Sequence, residues 1–280
     1  MVEWGMGEKL RVEGWGLRVG PMIAGGTCQE NVNGSRTRGI CRWGAFTLVE
    51  LLVVVAILGI LAALMMPALS SAKAKASSIS CLNRVRQLGL SLTMYSDDFE
   101  GQYPPRRQST NTWPYRLQPY YRDAKMLECP SDSFSWLLPM IAPDMKLVLR
   151  RSFVINGFND WFQSELTASN YQAFLAWQWP QGMKAAAIPN PTETIVFGEK
   201  RKGSYHVHMD FSQGQAGNDV EEIDQARHAS GANKAGGSNF AFADGSARFL
   251  KFGRSTTPEN LWAVRDEWRR APVRQAVGAP

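Results

Sequence analysis

Phe46 to Ala72 reads FTLVELLVVVAILGILAALMMPALSSA, with a single charged side chain, Glu50. From Leu51 to Ala72, 22 residues pass without a charge, and as a helix rising 1.5 Å per residue they span roughly 33 Å, about one bilayer hydrocarbon core. The stretch predicts a single transmembrane helix and hence a lipid bilayer as partner. The core helix of a soluble protein fits less well, because such helices keep a polar stripe. A cleaved secretory signal has an apolar region of about 7 to 15 residues ending at a small-residue cut site. Here the run is longer and continues into AKAKASSISCLNRVRQLGLSLTMY. Glu50 is the oddity, since a carboxylate at membrane depth costs about 2.5 to 3.5 kcal/mol on insertion scales and calls for a cationic partner.

The residues Gly44-Ala45-Phe46-Thr47-Leu48-Val49-Glu50-Leu51-Leu52-Val53-Val54 resemble the N-terminal cleavage and methylation motif of type IV prepilins and type II secretion pseudopilins. The resemblance implies that a prepilin peptidase cuts before Phe46, that the new N-terminus is N-methylated, and that Glu50 guides assembly. Glu50 would then meet the Phe46 amine of a neighbouring subunit. Pro67 matches the family's proline within the first helix, where it removes one hydrogen bond and predicts a kink. The family usually has Gly immediately before the cut, whereas this chain has Ala45 there and Gly44 one place earlier.

Residues 1–45 hold 10 of the 25 glycines, with Trp4, Trp15 and Trp43 scattered and no sustained period. They read as a leader, and Met22 is an alternative start. Arg36, Arg38 and Arg42 favour a cytoplasmic N-terminus, while Lys73, Lys75, Arg84 and Arg86 beyond the apolar run weaken that asymmetry. The resemblance therefore supplies the orientation: an inner-membrane, single-pass chain with a periplasmic head. Past Pro67, Ile79, Leu82, Val85, Leu88, Leu92 and Tyr95 have helical spacing, predicting an amphipathic continuation over 73–98 that ends near Asp97 and Asp98. Beyond it, SFVING, TIVFGE, SYHVHMDF, NFAFADG and ARFLKF, bounded by Gly, Pro and Asn, read as short antiparallel strands. The expected fold class is α+β: a leader over 1–45, an apolar helix over 46–72 and its amphipathic half, a head over 99–270 with a small antiparallel sheet, and a tail over 271–280. By resemblance, this arrangement is pilin-like.

Composition adds exclusions. With 280 residues, 44% hydrophobic and 20% charged, the chain is neither wholly disordered nor collagen-like. Its net charge of +6 is spread without a Lys/Arg block, so no nucleic-acid partner is predicted. Only Cys81 and Cys129 lie beyond the leader. In an oxidising compartment they could form a disulfide closing a loop of 49 residues, worth roughly 4 kcal/mol by chain entropy. Two buried thiols fit the sequence equally well.

Three features of the head raise chemistry. In an extended Tyr205-His206-Val207-His208-Met209-Asp210, the side chains of His206, His208 and Asp210 share one face. They are weak metal candidates, because no fourth ligand follows in sequence. Trp161, Trp177 and Trp179 could form a carbohydrate or partner platform, although core packing explains them more simply. Asp244-Gly245 between apolar strands signals a hairpin, read as a type I′ turn, with His228 as its anchor. No nucleophile constellation and no phosphate loop appear, so neither an enzyme nor a cofactor is expected.

Arg227-His228-Ala229-Ser230-Gly231-Ala232-Asn233, followed by Asn239-Phe240-Ala241-Phe242-Ala243-Asp244-Gly245-Ser246, resembles a C-terminal feature of a large group of envelope prepilin-like proteins. Fifteen residues separate His228 from Asp244, where the common form has about nine. Cys129-Pro130-Ser131-Asp132 and Asn260-Leu261-Trp262-Ala263-Val264 resemble the same group. The implied function is a structural pilin or pseudopilin subunit of a type IV pilus or type II secretion filament. Its partners would be prepilin peptidase, other pilin-like subunits and the inner-membrane assembly machinery. Two further readings are a membrane-anchored binding protein that never polymerises and a metal-dependent hydrolase using His206, His208 and Asp210.

Overall fold

A computed structural model describes residues 47–107, 112–132, 151–204, 206–211, 220–228 and 236–270. The cleavage residues Gly44, Ala45 and Phe46, the leader and the tail 271–280 lie outside them. The chain divides into two compact units at Leu64/Met65.

The described part of the first unit is the start of α1 (Leu48–Asp98). Thr47 and Glu50 close a capping box here: Thr47 N–H and Oγ1–H donate to Glu50 Oε2 at 2.9 and 2.8 Å, and Glu50 N–H donates to Thr47 Oγ1 at 3.2 Å. The reciprocal bonds satisfy donors that a helix start otherwise leaves open. The helix continues through Pro67.

In the second unit the buried face of α1 is Cys81, Val85, Leu88, Leu92 and Tyr95. Steps of four and three residues keep these side chains on one stripe. Ile79, expected on that stripe, is 60% exposed. Short helices α2 (Trp113–Arg116) and α3 (Gln118–Tyr121) and a 3-10 turn at Ala124–Leu127 precede β1 (Phe153–Asn156). Then come α4 (Asn159–Glu165), α5 (Ala168–Leu175), β2 (Ile195–Glu199), β3 (His208–Met209), β4 (Gly237–Phe242), β5 (Ala247–Lys251) and α6 (Asp266–Arg270).

The five strands form one sheet in the order β3-β1-β2-β4-β5. It is mixed, which corrects the expectation of an antiparallel sheet: β3 lies parallel to β1, pairing Ile155 with His208 and Asn156 with Met209. A parallel neighbour needs a long crossover connection, and α4, α5 and β2 intervene between these two strands. The other pairings are antiparallel.

The sheet is covered on both faces. Phe153, Ile155, Phe197 and Ala241 join the core that contains the α1 stripe. Val154, Ile195, Phe240 and Phe242 pack with Trp262 and Ala263. Val196 and Phe197, adjacent in sequence, lie in the same cluster, where the β2–β4 register shifts; an irregularity of this kind breaks strict alternation. Gly198 is required by packing, since a Cβ there would sit 2.7 Å from the Trp262 ring.

The β4–β5 hairpin forms at Asp244-Gly245, but not with the expected turn. A type I′ turn needs positive φ at both central residues, whereas Gly245 has φ +81° and Asp244 is not in the left-handed region. Gly245 N–H donates to Phe242 O at 3.0 Å, and Asp244 Oδ1 accepts from Ser246 N–H at 2.9 Å. The result is a three-residue loop closed by a left-handed glycine.

Candidate functional site

Two features stand out from the ordinary packing: the uncovered start of α1 and a buried polar cluster in the head. Every side chain from Thr47 to Ala76 is exposed, and none of the most apolar 18-residue window of α1 is buried. Among the described residues this is the one helix long and apolar enough to cross a membrane. A core helix of a soluble protein would be covered by its own fold, so a membrane anchor is the consistent reading.

The polar cluster assembles from four places. Cys81 comes from the α1 stripe, Cys129 follows the 3-10 turn, Glu199 ends β2, and His228 precedes β4. Their Sγ, carboxylate and imidazole atoms all lie within 4.8 Å of one another. Glu199 Oε1 is the hub: Cys81 Sγ–H donates to it at 2.8 Å, and His228 Nε2 lies 2.9 Å away. Cys129 Sγ stands 3.7 Å from His228 Nε2, while His228 Nδ1 faces Ser131 Oγ at 3.4 Å. Glu199 Oε2 accepts from the Asn239 backbone at 2.8 Å.

A second ring of groups holds these four. Arg227 ion-pairs with Asp132 at 3.2 Å and Asp224 at 3.3 Å, and its Nε lies 3.8 Å from Glu199. It also donates to Lys200 O. Ser152 Oγ–H donates to Asp132 at 2.8 Å and accepts from Cys129 N–H at 2.9 Å. Buried charges survive only when paired in this way.

The environment sets the protons. Hydrogen bonding from Cys81, and then from His228, brings the Cys129 thiol down to about 7 despite burial. Burial pushes the Cys81 thiol far up. Burial also opposes the His228 imidazolium, but the hydrogen bonds to Cys129 and Glu199 outweigh it and raise the pKa to about 9. The Glu199 carboxylate likewise resists burial and stays below its ordinary value through His228 and Arg227. Near neutrality the proton therefore sits on the imidazole in preference to Cys129. A thiolate beside an imidazolium is the nucleophilic pair of cysteine enzymes, but Cys81 and Cys129 are 0% and 3% exposed. Both sulfurs are thus almost fully shielded from solvent. Ser131, Arg227 and His228 also border a cleft of about 550 Å³ against Ser70–Ser78 of α1 and Phe249.

The residues singled out in the sequence are distributed unevenly. Cys81 and Cys129 meet, as a disulfide would require, and stand as two free thiols. Arg227 and His228 join them. His228 does not anchor the Asp244-Gly245 turn, because its ring is turned into the cluster. His206, His208 and Asp210 form no metal-capable group among the described residues. Arg106 holds Asp210 in a 2.6 Å ion pair, and His208 is buried edge-on to Trp177. Trp177 also lies under the Arg106 guanidinium, 4.5 Å away, while Trp161 and Trp179 pack against the core, as expected.

Glu199, the hub, was missed. Its signal was an acid closing the apolar strand TIVFGE, where the interior admits a carboxylate only with partners. Comparison with known proteins finds no matching family, curated protein or solved structure.

Proposed function

We propose that this chain is a pilin-like structural subunit: trimmed before Phe46, anchored in the inner membrane by the first half of α1, with a periplasmic head. The observation that carries the reading is the contrast along one continuous helix. Residues 47–76 are exposed throughout, whereas the stripe from Cys81 to Tyr95 is buried in the head. An apolar rod of that length is untenable in water and needs lipid or like helices around it. The Thr47–Glu50 capping box adds support, because it keeps the carboxylate at the helix start, where a neighbour's Phe46 amine would meet it. Leu-, Val- and Ala-rich helices of this kind can exchange lipid for one another during assembly, and Glu50 would set the register.

The experiment is oxidative crosslinking in membranes of the Leu52→Cys/Leu61→Cys double variant, whose cysteines lie about 180° apart on the helix. A ladder of multimers is expected. Monomers alone would leave a membrane-anchored head and overturn assembly. The hydrolase reading has no such support, since Asp210, one of its three candidate ligands, is held by Arg106 in an ion pair.

A further inference from the structure

We propose that Cys81, Cys129, Glu199 and His228 bind one zinc ion, and that this ion pins α1 to the sheet of the head. Two thiols, an imidazole and a carboxylate are donor types that zinc takes in four-coordinate sites. With Zn–S near 2.3 Å and Zn–N or Zn–O near 2.0 to 2.2 Å, the edges of such a tetrahedron are about 3.3 to 3.8 Å. The separations here are 2.8, 2.9 and 3.7 Å along three edges, and no pair exceeds 4.8 Å. Closing the site around an ion takes side-chain shifts of about 1 Å or less.

The surroundings are those of a metal site and not merely of a hydrogen-bonded knot. Ser131 on Nδ1 turns Nε2 of His228 inward, and the Asn239 backbone fixes the second oxygen of Glu199. Such outer partners orient metal ligands and set their tautomer. Two thiolates, one carboxylate and a neutral imidazole around a divalent ion leave one negative charge, which faces the Arg227 guanidinium beside Glu199, shared with Asp132 and Asp224. On binding, the Cys81 thiol proton and the one proton that His228 Nε2 holds in preference to Cys129 leave to solvent, while two Zn–S bonds, one Zn–N bond and one Zn–O bond form. All four positions come from protein and the site is closed, so the ion is structural. The cleft bordered by His228 gives it a way in.

What the site would do follows from its ligands. Cys81 is on the helix whose other half enters the membrane, while Glu199 is on a central strand. Coordination would join the two by bonds that withstand pull along α1 better than packing alone.

The test begins with full-length protein extracted from membranes in detergent without thiols or chelators. Elemental mass spectrometry is expected to give about one zinc per chain, with Cys81 and Cys129 both reduced by alkylation and intact mass. In Cys129→Ser/His228→Gln zinc should fall at least about tenfold, while His206→Gln should retain it. Because the double variant could fail to fold, wild-type protein stripped with chelator is reloaded with cobalt. A thiolate-to-cobalt charge-transfer band with intense tetrahedral visible absorption is expected. A Cys81–Cys129 disulfide, reduced thiols without metal, zinc retained in the double variant, or cobalt without the charge-transfer band would each overturn the proposal.

Discussion

The two halves of α1 belong to one helix but face different surroundings. From Leu51 to Ala72 the side chains are almost all apolar and all exposed; from Cys81 to Tyr95 an apolar stripe is buried and the opposite face is mostly polar, with Leu90 and Met94 the exposed apolar exceptions. The width of the apolar face thus reports the partner. A full circumference suits lipid or a bundle of like helices, whereas a stripe suits one sheet. Gln87 and Arg86 stay exposed on the far side of the second half.

The contrast can be broken most forcefully by equal truncations. Leu88→Ala removes a fully buried side chain and should destabilise the head by about 2 to 5 kcal/mol, read as a lowered urea midpoint. Leu58→Ala, on the exposed half, should leave that midpoint in place. Equal effects from both would show that the first half belongs to the head's core. Charge insertion is the converse: Leu58→Arg should make insertion less favourable by about 2.5 to 3.5 kcal/mol and raise the carbonate-extractable fraction. Gln87→Arg should change neither extraction nor folding.

A pH response just below pH 6.5 should belong to the head. Burial, and then the charges of Arg106 and Arg151, hold His208 well below its ordinary pKa. The unfolded chain therefore binds a proton that the native head refuses. Stability from this group is full above about pH 6.5 and falls as pH drops below it, by at most about 1.4 kcal/mol per unit. Urea titrations should show that slope in wild type and lose it in His208→Gln. The smallest effect is expected at the helix start. Thr47→Ala breaks the capping box and should cost about 1 kcal/mol locally. Faster amide exchange at Val49 and Glu50 would report it, with the head unchanged.

The sequence made the helix legible from end to end, because apolar content and periodicity are local signals. The strand segments were legible for the same reason, bounded as they are by Gly, Pro and Asn. Strand direction was not, since β3 reaches its parallel place beside β1 only after a crossover. The site was half legible. Cysteine count and the His228 motif pointed to residues that do meet, but Glu199 entered only once the sheet set it between Cys81 and His228. For His206, His208 and Asp210, period-two alternation could suggest a shared face but not the partner of Asp210, because Arg106 comes from a distant loop.

The most direct measurement is the mature N-terminus, read by mass spectrometry from membranes of cells with and without prepilin peptidase. The account predicts an N-methylated Phe46 that appears only with the peptidase. An intact leader in both, or a cut after the apolar run, would contradict it, because α1 would then carry either no processing signal or no lasting membrane half.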